Sequence, residues 1–382
     1  MAAIELRIPK GAILFTREGI AYEYREHLGE AHHGLNLLLA RPRMSDGKIL
    51  GKVLLKAVGM PSGPGGIRVF KARAKLEEQV RLAAYLQHSE ILRVHGLHKA
   101  EGAWYVITDH PSGNSLNDVL GLVMECERWF SPLFALYVGA QVAGALHHAH
   151  TAKDEDGRPL GIVHRAIDPE HVFVDWSGRV QVSDFGLALS SLPGRVASTV
   201  RRPQGDRYFS SPEMLLTGRV DARSDLFALG LVMLELATGR NLLHPPDGIS
   251  PKALAALSRK KLAGMTRAIK RARLAGCDDA MEEIIMRAAT FTSEDVEAVT
   301  AGLPDTLRVP LCKLLQRSPA ARYQTAQELE ADLRGWLGDT FGAKESGAEL
   351  KAAADEAGER MVDLDLPRPR PRARTQDTIT TN

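Results

Sequence analysis

His164-Arg165-Ala166-Ile167-Asp168-Pro169-Glu170-His171 decides how this chain is read, and Asp184-Phe185-Gly186 follows thirteen residues later. Charged and imidazole side chains crowd the first motif. Its third position is Ala166, whose side chain can neither accept a proton nor hydrogen-bond. The second motif keeps its carboxylate. The rest of the sequence has to explain this contrast between Ala166 and Asp184.

Around these motifs lie 382 residues, enough for two or three domains or one two-lobed molecule with a tail. With 44% hydrophobic and 25% charged residues, a globular core is expected. A net charge of +2 implies no strong polyanion partner and no nucleic acid. Cys126, Cys277 and Cys312 form neither an even disulfide framework nor a close-spaced zinc site, which suits a reducing cytoplasm. The N-terminus lacks the basic and apolar regions of a signal peptide. The most apolar stretch, Leu226 to Ala237, is interrupted by Glu235 and is too short to span a bilayer.

The first hundred or so residues read as a small β-rich lobe with one helix. Ile20 to Tyr24, Leu35 to Ala40 and Lys52 to Val58 read as strands, residues 61–66 as a Gly/Pro loop, and residues 69–88 as a helix. Ile91 to His98 and Trp104 to Thr108 add two strands. From Leu116 the pattern is helical. Ser131-Pro132 opens a long apolar helix through His150, with serine as N-cap and proline at the first position. Residues 223–238 form another apolar helix closed by Gly239, and Thr325-Ala326-Gln327-Glu328 is a capping box for a helix ending near Leu337. Residues 244–302 are mostly helical and carry no readable role. Residues 344–360 are rich in Ala, Glu and Lys and read as a fraying helix. Leu366 to Arg374 alternates Pro and Arg before a Thr-rich end, so residues 338–382 are expected to be a disordered tail.

The order of these elements resembles the protein kinase family, of the bacterial serine/threonine type, over roughly residues 20–337. A β lobe with a glycine turn and a strand lysine precedes a helix, His-Arg-x, Asp-Phe-Gly, Ser211-Pro212-Glu213, Asp221-Ala222-Arg223-Ser224-Asp225 and Arg322. The resemblance implies an α+β, two-lobed protein-kinase-like fold. Residues 1–20 would be a lead-in, 21–111 the N-lobe, 112–337 the C-lobe and 338–382 the tail. Glu213 would pair with Arg322, Asp225 would orient the loop at 164–171, and His164 and Phe185 would join an apolar column.

The chemical positions of the family are largely replaced. Ala166 stands where the family has the aspartate that accepts or orients the substrate proton, a loss worth roughly 10²–10⁴ in rate. Asp168 stands where a lysine or serine normally approaches the γ-phosphate; at about 5 Å and an effective dielectric of about 20, a carboxylate there repels phosphate by roughly 3 kcal/mol. Serving instead as a displaced base would shift its carboxylate by several ångströms. His171 replaces the asparagine that gives Mg²⁺ an oxygen, and imidazole suits that hard ion poorly. His164 and Arg165 remain, but no catalytic residue set is intact.

On the nucleotide side, Gly29-Glu30-Ala31-His32-His33-Gly34 resembles the glycine-rich loop with its middle glycine replaced. An ordinary hairpin turn is the alternative. Lys56 resembles the lysine that contacts the α- and β-phosphates. Its helix partner falls at Gln79, with Glu78 one residue away. Leu54 and Phe173 replace smaller or different residues above and below the adenine position. They either fill it or pack with the pocket slightly shifted. Asp109-His110-Pro111 would be the hinge. Asp184 would be the remaining metal residue, or a structural hydrogen-bond partner. ATP and Mg²⁺ binding is therefore expected to be weak or absent. Asp206 replaces the threonine of the peptide-positioning Gly-Thr. Ser198 and Thr199, beside Arg201 and Arg202, are candidate phosphorylation sites read through Arg165.

These readings imply a cytoplasmic pseudokinase with a regulatory or scaffolding role, whose partner is a protein such as an active kinase or a phosphothreonine-binding domain. A weak or atypical Ser/Thr kinase using ATP is one alternative. An adaptor phosphorylated at Thr375, Thr378, Thr380 or Thr381 is the other.

Overall fold

A computed structural model describes residues 8–31, 35–59, 66–100, 102–125, 128–194, 205–244 and 248–360. Gly34, the Ser198–Arg202 region and the tail threonines lie outside them. The chain forms two compact units, Met1–Pro111 with Asp184–Gly186 and Leu192–Ala197, and the remainder.

Among the described residues the first unit is a six-stranded sheet with one helix. Its strands are β1 (Ile13–Arg17), β2 (Ile20–Ala31), β3 (Leu35–Met44), β4 (Val53–Val58), β5 (Val94–Ala100) and β6 (Ala103–Asp109), in the order β1-β2-β3-β4-β6-β5, and α1 is Gly66–Ala83. All neighbours are antiparallel. The sequence placed a lead-in before residue 21, but β1 makes the sheet begin earlier. Glu18 and Gly19 both have positive φ, 53° and 78°, as a two-residue hairpin turn requires. That turn folds Phe15 onto Tyr22, with ring centroids 4.5 Å apart. Leu14, Phe15, Tyr22, Tyr24, Leu55 and Ile107 form the core on this face. Alternation sends Val58 and Val106 to the other face, where Ala72 and Leu76 of α1 cover them. Lys56 shares the parity of Val58 and therefore points to the α1 side. The helix stops at Ala83, five residues short of the sequence reading, where turns close on Leu82 and Ala83.

The second unit carries a small sheet, β7 (Asn114–Ser115), β8 (Val172–Val174) and β9 (Val180–Val182), with α2 (Leu116–Glu125) and α3 (Pro132–Thr151). Then follow α4 (Pro212–Leu216), α5 (Ala222–Thr238), α6 (Pro251–Ala255), α7 (Arg259–Leu274), α8 (Asp279–Thr290), α9 (Ser293–Thr300), α10 (Asp305–Leu314), α11 (Ala326–Leu337) and α12 (Ala343–Arg360). The Ser131 hydroxyl caps α3 at Phe134 N–H, and Gly239 closes α5 with φ 64°, as the sequence indicated. Both helices are buried on nearly every side, which explains their all-round apolar sequences.

α12 corrects the disordered-tail reading for residues 343–360. Leu350, Ala353 and Ala357 are buried along one stripe. Glu349 accepts from both the N–H and the hydroxyl of Ser131, at 2.6 and 2.7 Å, and Glu356 pairs with Arg128. The β8–β9 turn meets this helix at glycines: a Cβ on Gly347 would lie 2.5 Å from the Trp176 carbonyl oxygen, and one on Gly178 1.9 Å from that of Ala343. Docking through small residues leaves little hydrophobic signal, so the composition read as solvated.

Candidate functional site

The 164–171 loop is held from below by Asp225, at the start of α5. Its Oδ2 accepts the His164 N–H and its Oδ1 the Arg165 N–H, both at 2.8 Å, and the His150 Nε2 is also 2.8 Å from Oδ2. Arg165 has φ 67°, a conformation that costs a non-glycine residue energy unless its surroundings impose it. Here Asp225 fixes its backbone, while its guanidinium donates to the carbonyls of Leu187 and Ala188. The His164 imidazole takes a defined tautomer, with Nδ1 accepting from Ala166 N–H at 3.2 Å and Nε2 donating to the Ser183 carbonyl at 2.8 Å.

Ala166 is buried, and the backbone of Gly205 lies against it. A Cβ on Gly205 would sit 2.7 Å from the Ala166 methyl and 2.8 Å from Asp168 Oδ2, and Gly205 has φ 66°. Glycine is required there on both counts.

Asp168 is 1% exposed and fully engaged. Its Oδ1 accepts the N–H groups of Glu170 and His171 at 3.0 and 3.2 Å and the His171 Nδ1–H at 2.6 Å. Its Oδ2 accepts the Asp206 N–H at 2.9 Å. Burial alone would push the carboxyl up, but the His171 charge and hydrogen bond, with the Asp206 N–H, hold it below the ordinary carboxylate range. The Asp206 side chain in turn caps the Tyr208 N–H at 2.9 Å. The sequence reading weighed Asp168 as a repelling charge or displaced base, and its role as a hub of hydrogen bonds went unseen.

In the first unit, Lys56 Nζ donates to Asp184 Oδ1 at 2.7 Å, and Lys56 is buried. Asp184 has φ 59°, and the same oxygen accepts the Gly186 N–H at 3.2 Å. A Cβ on Gly186 would lie 3.1 Å from Gln79 Oε1, so Gln79 is the α1 residue facing the Asp-Phe-Gly turn. Glu78 is also buried. Thr108 donates its hydroxyl to the Leu54 carbonyl at 3.2 Å. Asp109 sits 2.6 Å from His95 Nε2. Gly29 has φ 121° beside a bulge in β2. Leu54 and Phe173 are each half-buried in their own units.

Of the two positions that the family would assign to Mg²⁺, Asp184 in the first unit is paired with Lys56, and in the second the Nδ1 of His171 is committed to Asp168. Mg²⁺ prefers oxygen ligands and sheds water reluctantly, so an imidazole at the second position does not suit it.

The segment after the Asp-Phe-Gly turn is anchored at its far end. Arg322 donates to both oxygens of Glu213, at 2.8 and 2.9 Å, and Ser224 adds a hydrogen bond at 2.6 Å. The Arg322 side chain is wholly buried and also donates to the carbonyls of Gln316, Arg223 and Arg317.

Among the described residues no helix is long and apolar enough to cross a membrane. Residues 68–332 match the model of the protein kinase domain. The chain is 30% identical over 264 residues to the tyrosine-protein kinase MasK of Myxococcus xanthus, covering 69% of this chain and 38% of that protein. It is 27% identical over 260 residues to the serine/threonine-protein kinase PrkC of Bacillus subtilis, with 68% and 33% covered. Against the serine/threonine-protein kinase PknB of Mycobacterium tuberculosis the identity is 27% over 265 residues, with 68% and 35% covered. The chain thus spans about a third of the length of these relatives. With its Glu213–Arg322 anchor, its Asp225-held loop and its Lys56–Asp184 pair, the chain belongs to the protein kinase domain family.

Proposed function

We propose that this chain is a cytoplasmic pseudokinase: a protein kinase domain without phosphoryl transfer that regulates or scaffolds a protein partner, such as an active kinase or a phosphothreonine-binding domain. The observation that carries the reading is the state of the 166–171 loop. Ala166 has no proton acceptor, and the carboxylate two residues on, Asp168, spends both oxygens on four N–H groups. A general base needs an oxygen within reach of the substrate proton, and neither residue supplies one. The retained anchors at Asp225 and Glu213 are structural, as a binding scaffold requires.

The test is purified protein with labelled ATP and Mg²⁺ or Mn²⁺, together with thermal unfolding with and without nucleotide. No transfer to itself or to general protein substrates is expected, and a small or absent thermal shift. The rival reading, a weak Ser/Thr kinase, draws on the Lys56–Asp184 pair. Metal-dependent transfer abolished by Lys56→Ala and by Asp184→Ala would establish it instead.

A further inference from the structure

Residues 244–302 had no readable role in the sequence, yet α7, Arg259-Lys260-Lys261-Leu262-Ala263-Gly264-Met265-Thr266-Arg267-Ala268-Ile269-Lys270-Arg271-Ala272-Arg273-Leu274, has a distinctive charge. It carries seven basic residues and no acidic one. Without them the chain has more carboxylates than cations, so the net +2 conceals one strongly basic helix on an otherwise acidic protein. Met265, Ala268 and Ala272 turn inward. Arg271 reaches back to the carbonyls of Leu215 and Leu216, and Arg273 pairs with Glu282. Arg259, Lys260, Lys261, Arg267 and Lys270 are exposed and make no ion pair among the described residues. Arg267 and Lys270, three apart, and Lys270 and Arg273, also three apart, are like-charge neighbours that destabilise the free helix. Two leucines stand out at its ends, Leu262 at 45% and Leu274 at 81% exposure, about 18 Å apart along the axis.

We propose that the outer face of α7 docks an acidic protein segment bearing an apolar residue near each end. The partner's carboxylates meet Arg259, Lys260, Arg267 and Lys270, which with Leu274 lie on the side of the helix away from Met265, Ala268 and Ala272, and its apolar residues cover Leu262 and Leu274. The strip is one helix wide, and α8, which packs beside it, carries exposed carboxylates at Asp279 and Glu283. An anionic lipid surface is broad and of one sign, and would bring those carboxylates against like charge. α7 holds no aromatic side chain on which bases could stack, which disfavours single-stranded nucleic acid. The inference rests on reading the chain as a binding protein and gives that reading a surface.

The test uses the full chain and a fluorescein-labelled Glu-rich peptide with two leucines spaced as Leu262 and Leu274 are, beside an all-Glu peptide of equal length. Binding of the leucine peptide is expected to weaken about tenfold between low and physiological salt. Combined Arg259→Glu, Arg267→Glu and Lys270→Glu should weaken it about a hundredfold, and the three Gln substitutions serve if the reversed variant misfolds. Leu274→Ser should cost several-fold for the leucine peptide and nothing for the all-Glu peptide. Unchanged binding by the charge variants, equal effects of Leu274→Ser on both peptides, or tighter binding to vesicles of about 30% phosphatidylserine than to the peptide would overturn the proposal. Transfer from labelled ATP is measured on the same sample, so failure of the patch and failure of the pseudokinase reading give separate readouts.

Discussion

Asp168 accepts the backbone N–H of Asp206 at 2.9 Å, and so ties the loop that carries Ala166 to the far part of the segment that starts at Asp184. The residue standing at a phosphate-facing position of the family therefore serves as a structural acceptor. Its partners come from three places: its own turn, the His171 imidazole and the Gly205-Asp206 turn.

Replacing Asp168 should consequently cost stability rather than chemistry. Asp168→Ala leaves several buried N–H groups without their charged acceptor, a loss of about 3 kcal/mol or more. Urea unfolding measures it, and hydrogen exchange should speed up first at the Asp206 and His171 amides. A change of under about 0.5 kcal/mol would mean that Asp168 is not the clasp described.

Ala166→Asp alone should not create a kinase. The Ala166 methyl already meets the Gly205 backbone, and the ionised Asp168 lies on the same side of that glycine. A second carboxylate must displace Gly205 or point elsewhere beside a like charge. We expect a loss of about 1–3 kcal/mol and no transfer of labelled phosphate. Transfer restored by this single change would show a site needing only its base.

Where each residue's role depends on local order, the sequence was sufficient. The Ser131 and Thr325 caps and the Gly239 stop follow from local order, and the structure places bonds at each. The Glu213–Arg322 pair and the hold of Asp225 on the 164–171 loop, both long-range, came only from the family resemblance, and both are present. What escaped depends on contacts distant in sequence. Asp168 meets Asp206 across 38 residues and Ser131 meets Glu349 across 218. Neither partner announces the other. β1 carried a local signal in Glu18-Gly19, but one five-residue strand is a weak pattern by itself.

The Glu213–Arg322 pair should behave as a buried ion pair. Either Glu213→Ala or Arg322→Ala leaves an uncompensated buried charge and should cost about 3–5 kcal/mol. The double variant should cost clearly less than the two singles together, because each single already forfeits the shared interaction. A double-mutant cycle by chemical denaturation measures this coupling; additive losses would place the energy in the carbonyl contacts of Arg322 instead.

Acid should weaken the first unit through Glu23. Arg41 first, then Arg25 and Arg43, hydrogen-bond its carboxylate and lower its pKa from 4.5 to about 2. A depressed carboxyl lends stability that is fully present above its unfolded value and is lost as pH falls through the folded one. The gap in melting temperature between wild type and Glu23→Gln should thus be constant above about pH 5 and shrink between pH 4.5 and about 2. A gap independent of pH over that window would assign the arginines to one another or to solvent.

Two truncations separate α12 from the residues beyond it. Ending the chain after Arg360 should leave stability unchanged, whereas ending it after Gly342 removes Leu350, Ala353 and Ala357 from the core and the Glu349 carboxylate from Ser131. Burial of one leucine and two alanines, with two charge-assisted hydrogen bonds at an α-helix start, sets the expected loss on the order of 3 kcal/mol. Glu349→Ala in the full chain should give about half of that, because Ser131 keeps its own cap on Phe134 but loses its acceptor. Thermal unfolding of the three proteins distinguishes the contributions. If the chain ending at Gly342 melts with the full-length protein, α12 is an appendage; if it melts lower while Glu349→Ala does not, the helix is held by its small apolar stripe and not by the Ser131 contact.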